Sequence, residues 1–229
     1  MSVGNTFFKT AFSVDNVIFG FDDSLLKVLL IKRAERPFKD QWALPGDLVF
    51  PEEHLDDAPK RVLRELTGLE NVFLEQVATF GKVDRHPVGR VITIAYYSLV
   101  NIAKVHPKPH SFAEEISWHE VSKIQSLAFD HMLIMNKCLQ NLKSKVRTQP
   151  IGFELLPQKF TLSELQDLYE AVLGKSLDKR NFRKKILSLE VLLDQEEYQQ
   201  GVAHRPAKLY QFDRLRYEEA KSLGFTFEV

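Results

Sequence analysis

Between Lys175 and Lys185 the chain places six basic residues, Lys175, Lys179, Arg180, Arg183, Lys184 and Lys185, against one acid, Asp178. Several cationic groups on one short segment suit phosphate recognition, because together they displace condensed counterions and donate many hydrogen bonds. On a helix, Lys179, Arg180, Arg183 and Lys184 share one face and Phe182 and Ile186 lie away from it, while Asp178 stands where it can cap the first turn. An apolar back and a basic front are what a helix in a DNA major groove needs. Taken alone, the pattern also fits a solvated charged face, so the neighbouring elements must decide. A second set of candidates is Arg33, Arg36, Arg85 and Arg90. Their guanidinium forks suit phosphate and sugar oxygens equally. Phe38, Trp42, Tyr96 and Tyr97 are aromatics fit either to stack on a base or to fill a core.

Other chemistries are excluded by inspection. There is no Gly-x-Ser-x-Gly elbow and no phosphate loop ending in Gly-Lys-Ser/Thr. His106 and His110 have the spacing of a helical metal pair, but Pro107 and Pro109 forbid that helix, which leaves loop histidines. The single cysteine, Cys138, makes neither an internal disulfide nor a cysteine-rich metal site, and the N-terminus has no secretory pattern; both point to the cytoplasm. With 31 basic and 31 acidic side chains, the 229-residue chain has no net field to gather nucleic acid, so any such binding is local. No apolar run approaches the roughly 20 residues of a membrane span, and no membrane partner is expected.

These candidates sit on two kinds of scaffold. From Ala11 a strand-like stretch runs to Phe21, a Phe-Asp-Asp-Ser turn follows, and Leu25 to Ile31 resumes the pattern, which predicts a hairpin. Residues 32–53, with Pro37, Pro45, Gly46 and Pro51, read as loops around a short strand. Leu55, Ala58, Val62 and Leu66 recur at helical spacing with Gly68 just beyond, and Pro59 sets the helix start near Asp56 or Asp57. Strands are expected at Val72 to Phe80, Arg90 to Val100 and Glu115 to Val121, and a closing helix from about Phe129 to Val146. The Thr148–Gly152 stretch interrupts it, which gives a mixed α/β domain over 1–147 and a second over 148–229. The second opens with Thr161-Leu162-Ser163-Glu164, a capping box; a helix follows to Gly174, then a short turn, then the basic helix from Asp178 to about Leu189. Leu192 to Leu193 and Leu209 to Phe212 then pair as a hairpin, a wing, with His204, Arg205 and Lys208 near its tip, where they would touch a phosphate backbone. Glu190, Asp194, Glu196 and Glu197 must face away from a duplex.

Trp42-Ala43-Leu44-Pro45-Gly46, Glu52-Glu53 and Arg61-Val62-Leu63-Arg64-Glu65-Leu66-Thr67-Gly68-Leu69 resemble the Nudix box, whose clustered glutamates hold magnesium for hydrolysis of nucleoside diphosphates linked to another group. Counting from Gly46 puts the three helical glutamates of the box at Arg61, Arg64 and Glu65; counting back from Gly68 puts them at Val62, Glu65 and Leu66. Either way only Glu65 is retained, so no resident metal or other cofactor is expected and hydrolysis is expected to be lost or feeble. Phe153-Glu154-Leu155-Leu156-Pro157, Leu177-Asp178-Lys179-Arg180-Asn181-Phe182-Arg183-Lys184-Lys185 and His204-Arg205-Pro206-Ala207-Lys208 further resemble the winged helix of the Nudix-related transcriptional regulators. Phe80-Gly81, Asp84-Arg85, Gly89-Arg90-Val91 and Phe129-Asp130-His131 are similar to their effector domain. The resemblance implies a homodimeric regulator, usually a repressor, that binds double-stranded palindromic operator DNA and senses ADP-ribose or a sugar such as arabinose. It implies DNA contacts at Lys179, Arg180, Asn181, Arg183, Lys184, His204, Arg205 and Lys208, and effector contacts at Arg33, Arg36, Glu65, Asp84, Arg85 and Arg90. The alternatives are an active hydrolase such as an ADP-ribose pyrophosphatase, and an interaction module whose basic helix meets an acidic partner.

Overall fold

The structure is a computed structural model that describes residues 9–70, 72–109, 113–203 and 205–222. They fall into two compact units, the first drawn from residues 9–20 and 27–141 and the second from residues 21–26 and 142–222. His110 and His204 lie outside the described residues.

The first unit is α/β. Strands β1 (Ala11–Asp22) and β2 (Leu25–Arg33) form the expected hairpin. Its turn holds Asp23 and Ser24 at φ 50° and 59°, the left-handed region that a two-residue hairpin connection demands. Short strands β3 (Trp42–Ala43) and β4 (Gly46–Leu48) follow, then helix α1 (Ala58–Thr67). Pro59 falls in the first turn, where no intrahelical donor is needed, and Gly68 closes the helix at φ 71°. Leu55, read from its spacing as part of the buried face, precedes the helix and is exposed. Strands β5 (Phe73–Phe80), β6 (Val91–Asn101) and β7 (Ala113–Glu120) and helix α2 (His131–Lys145) complete the unit's elements.

The sheet runs β3-β2-β1-β6-β5, with β4 on β1 and β7 on β2. Val14, Ile31, Ile94 and Tyr96 pack against Val62 and Leu66 of α1 in one core cluster. Tyr96 and Tyr97 are thus core residues rather than a stacking surface, and Trp42 stacks edge-on with His119 at 4.3 Å. No helix among the described residues is long and apolar enough to cross a membrane.

The second unit is α+β. A two-residue strand β8 (Phe160–Thr161) leads into α3 (Leu162–Leu173), α4 (Lys179–Ser188), β9 (Leu192–Tyr198), β10 (Lys208–Phe212) and α5 (Arg214–Ser222). The sheet order is β8-β10-β9, so the expected hairpin gains a third strand. Both bonds of the capping box are made: Glu164 N–H donates to Thr161 Oγ1 at 3.1 Å and Thr161 N–H to Glu164 Oε2 at 2.6 Å. Phe153 stacks on Phe212 at 4.3 Å, and Val191 and Tyr217 are buried beside them.

Candidate functional site

A cleft of about 430 Å³ opens in the first unit between β1, β4, the end of β2 and the loop before β6. That volume suits a small organic ligand. Lys9, Arg33, Arg85 and Arg90 supply cationic lining; Asp15, Glu35 and Asp47 supply carboxylates; Phe129, His86 and His131 supply rings. His86 stacks nearly parallel on Phe129, with centroids 5.2 Å apart, and the Arg33 guanidinium lies 5.0 Å from the same ring.

The floor is a buried polar network. Arg85 donates to both oxygens of Asp130, Nε to Oδ2 at 2.9 Å and Nη2 to Oδ1 at 2.5 Å, and Nη1 donates to Thr93 Oγ1. Thr93 also bonds Ser13 at 2.5 Å. His131 Nδ1 accepts the Leu44 N–H at 2.9 Å. Burial, reinforced by Arg85 and Arg33, lowers His131 to about 3, so the ring is neutral and its proton sits on Nε2. Nε2 lies 3.6 Å from Asp15 Oδ2, and Arg85 Nη2 lies 3.9 Å from the same oxygen. Asp15 pairs across the sheet with Gly46, and a Cβ there would overlap Asp15 Oδ1; Gly46 is required because the carboxylate fills its space. Burial raises Asp15 to about 7 despite the nearby Arg85.

The residues of the box do not fit magnesium. Gly68 ends α1, and counted from it two of the three carboxylate positions are Val62 and Leu66, both buried in the core cluster. The third, Glu65, accepts from Arg61 Nη1 at 3.1 Å. Counted from Gly46, two of the three are the cations Arg61 and Arg64. Arg61 also donates to both Glu53 oxygens at 2.7 and 3.0 Å, to Asp47 at 3.1 Å and to the Leu48 carbonyl at 2.8 Å, with its guanidinium 4.0 Å above the Phe50 ring. One carboxylate already held by an arginine cannot supply the oxygen shell that magnesium demands.

The second unit presents its cations on α4. Asp178 Oδ1 accepts the Asn181 N–H at 2.8 Å and starts the helix; Phe182 and Ile186 are buried, while Lys179, Arg180, Asn181 and Lys184 are exposed. The turn before it is fixed twice, by Gly174 at φ 70° and by Glu170, whose carboxylate accepts the Leu177 N–H at 2.8 Å and the Gln166 amide at 2.9 Å. Arg183 does not stand out with the others: its Nη2 donates to Ser163 Oγ at 3.0 Å, and its Nε is buried without a partner among the described residues. A groove of about 480 Å³ runs between α3, α4 and the wing, with Ser163, Lys179, Arg183, Gln199 and Arg205 along it.

Three comparisons bear on this architecture. Residues 9–142 match the NUDIX domain and residues 152–212 match the NrtR DNA-binding winged helix domain. The ADPR responsive transcriptional repressor NtrR of Acinetobacter baylyi is 35% identical over 210 residues, which covers 90% of this chain and 83% of that protein. The chain belongs to the NrtR family. Shewanella oneidensis NrtR complexed with a 27mer DNA superposes with a TM-score of 0.75 at 28% identity, covering 94% of this chain and 97% of that one. The NUDIX domain of the same NrtR, complexed with ADP ribose, superposes with a TM-score of 0.55 at 28% identity over 58% of this chain and 88% of that one.

As an NrtR-family regulator, the chain couples a Nudix unit to a DNA-binding winged helix. Of the effector residues expected from its sequence, Arg33, Arg85 and Arg90 converge on the cleft. The other three do not. Arg36 lies beyond the end of β2 and is exposed, Glu65 is on α1 with Arg61, and Asp84 is exposed beside Lys82 on the loop before β6. Asp15, His131 and Asp130 were missed as site residues; an Asp-Asn pair inside an apolar strand was the available signal for the first. In the winged helix, Arg205 lines the groove, but Lys208 is held in an ion pair by Asp194 on the neighbouring strand, which neutralises it. The acids between helix and wing have partners of their own: Glu190 pairs with Arg216 and Glu197 with Lys159.

Proposed function

We propose that this chain is a homodimeric transcriptional repressor whose Nudix unit binds ADP-ribose without hydrolysing it and whose two winged helices hold a palindromic operator. The observation that carries this reading is the split fate of the Nudix features. The cleft is intact and lined with cations, while the box positions that would carry metal-binding carboxylates are Val62 and Leu66 in the core and Glu65 on Arg61. Such a site retains affinity and lacks the means of cleavage. The relatives named for ADP-ribose response and solved with ADP ribose or DNA support the same assignment.

In the winged unit, Lys179, Arg180, Asn181 and Lys184 contact DNA directly. Arg205 reaches the backbone from the wing, and Arg183 holds α4 against α3 through Ser163 until DNA competes for it. One winged helix reads one half-site, so two copies must space their α4 helices about one helical turn, or a multiple of it, apart. A ligand that favours another spacing releases the operator.

The test is a titration of the full-length protein, at fixed salt, against DNA from upstream of its own and neighbouring genes. It is run with ADP-ribose, with simple pentoses and with neither. Tight binding that ADP-ribose alone reverses is the expected result. A parallel assay for AMP with magnesium and ADP-ribose should stay at background. AMP release that Glu65→Gln abolishes, with no operator binding, would instead establish a hydrolase.

A further inference from the structure

Asp15 is a carboxylate more than nine-tenths buried that lines the cleft and makes no hydrogen bond to any described residue. Its nearest donors, His131 Nε2 at 3.6 Å and Arg85 Nη2 at 3.9 Å, both stop short, and the hydrogen bonds that Arg85 makes go to Asp130 and Thr93. Neither oxygen is sealed from solvent: both open on the cleft, where a carboxylate that has lost most of its hydration gains from a donor that enters. Gly46 opposite has no side chain to offer and exists at that position to admit the carboxylate. A ligand that brings a donor into the cleft meets this acceptor.

The surroundings define that donor. A second cation is disfavoured by Arg85 and Arg33, which already act on Asp15, and a phosphate is disfavoured by the carboxylate itself and by Asp130 behind it. A neutral hydroxyl suffers neither repulsion. The cationic lining, Lys9 and Arg90 included, is left for the anionic part of the same ligand.

We infer that Asp15 is a specificity-determining residue of the cleft: its ionised carboxylate accepts a hydrogen bond from a sugar hydroxyl of the ligand, while the surrounding cations hold the ligand's phosphates. The inference rests on the effector reading above and adds the atom that recognises the sugar.

It has a thermodynamic signature. With a pKa of about 7, Asp15 is about half protonated at neutral pH in the empty cleft, and a ligand that needs the ionised form expels that proton. The groups facing Asp15 are Arg85, Arg33, Asp130, His131 and, from α2, Cys138. His131 is neutral well below this range and Cys138 is pushed to about 12, so neither titrates there. His86, which burial shifts down, sits on the cleft wall; comparison with an Asp15 variant removes its contribution.

The experiment is isothermal titration of the full-length protein with ADP-ribose at pH 7, in phosphate and in Tris, for the wild type and Asp15→Asn. The expected result is release of about half a proton by the wild type. In Asp15→Asn that release is absent and affinity falls roughly tenfold to hundredfold, the loss of one hydrogen bond to a charged acceptor. Proton uptake on binding, or Asp15→Asn affinity within about twofold of the wild type, overturns this inference alone. A wild type that does not bind ADP-ribose overturns the effector reading and this inference with it. Should Asp15→Asn fold poorly, the count is repeated with His86→Ala, in which release of about half a proton can no longer come from the imidazole and its absence overturns the inference.

Discussion

Replacing Asp15 by asparagine also tests how much stability the Nudix unit gives up for its cleft. The carboxyl titrates near 3.8 in an unfolded chain, and burial raises it to about 7 in the fold. The native state therefore holds a proton that the unfolded chain has lost, and stability falls as pH rises from about 4 to about 7. At 1.36 kcal/mol per tenfold difference in proton affinity, the full loss above pH 7 is about 4 kcal/mol, of which about 2 kcal/mol has already accrued at pH 5.5. Asparagine removes this dependence at the cost of a buried amide, an offset that does not vary with pH. Urea unfolding followed by tryptophan fluorescence reads this unit alone, since Trp42 and Trp118 are the only tryptophans and both lie in it. The stability of Asp15→Asn relative to wild type should be about 2 kcal/mol more favourable at pH 8 than at pH 5.5. A difference between variants that is the same at both pH values would refute the reasoning.

Other outcomes follow from the same geometry. Arg85→Gln leaves the half-buried Asp130 and the buried Asp15 without their guanidinium and should destabilise the Nudix unit by about 2–4 kcal/mol, read by the same unfolding assay. Gly46→Ala pushes a methyl group into Asp15 Oδ1 and the Val14 carbonyl; a destabilisation of about 1–3 kcal/mol and loss of ADP-ribose binding by calorimetry are expected. Thr161→Ala removes the cap of α3 and should lower stability of the winged unit by about 1 kcal/mol in thermal unfolding. Lys184→Ala, exposed on α4, should weaken operator and unrelated DNA alike and reduce the slope of log affinity against log salt by about one.

Legibility in the sequence followed the range of the interactions. The capping box, the glycine after each of two helices and the hairpin turn are set by residues a few positions apart, and a reader of the chain can find them. The basic face of α4 is equally local. The floor of the cleft is not, because Asp15 meets Gly46 and Arg85 meets Asp130 across distances in the chain that no periodicity encodes. Arginine type alone marked Arg33 and Arg36 alike, but the first ends a strand whose direction aims it at the cleft and the second lies beyond that strand. Helix α5 escaped notice because only Tyr217 of its residues is buried, and a helix with so little apolar face carries almost no periodic signal.

The two residues of β8 sit directly before α3 and yet find their strand partner in β10, with Thr161 opposite Leu209 and Phe160 opposite Tyr210. The central strand of the small sheet is therefore among the last parts of this unit to be synthesised. A nascent chain that has emerged as far as α4 has its helices and turn but lacks the strand that closes the sheet over them. Such a pairing, remote in sequence, closes late. The DNA-reading unit thus gains its closed sheet only after β10 has been made, and a message truncated before Phe212 yields a Nudix unit without a working reader attached.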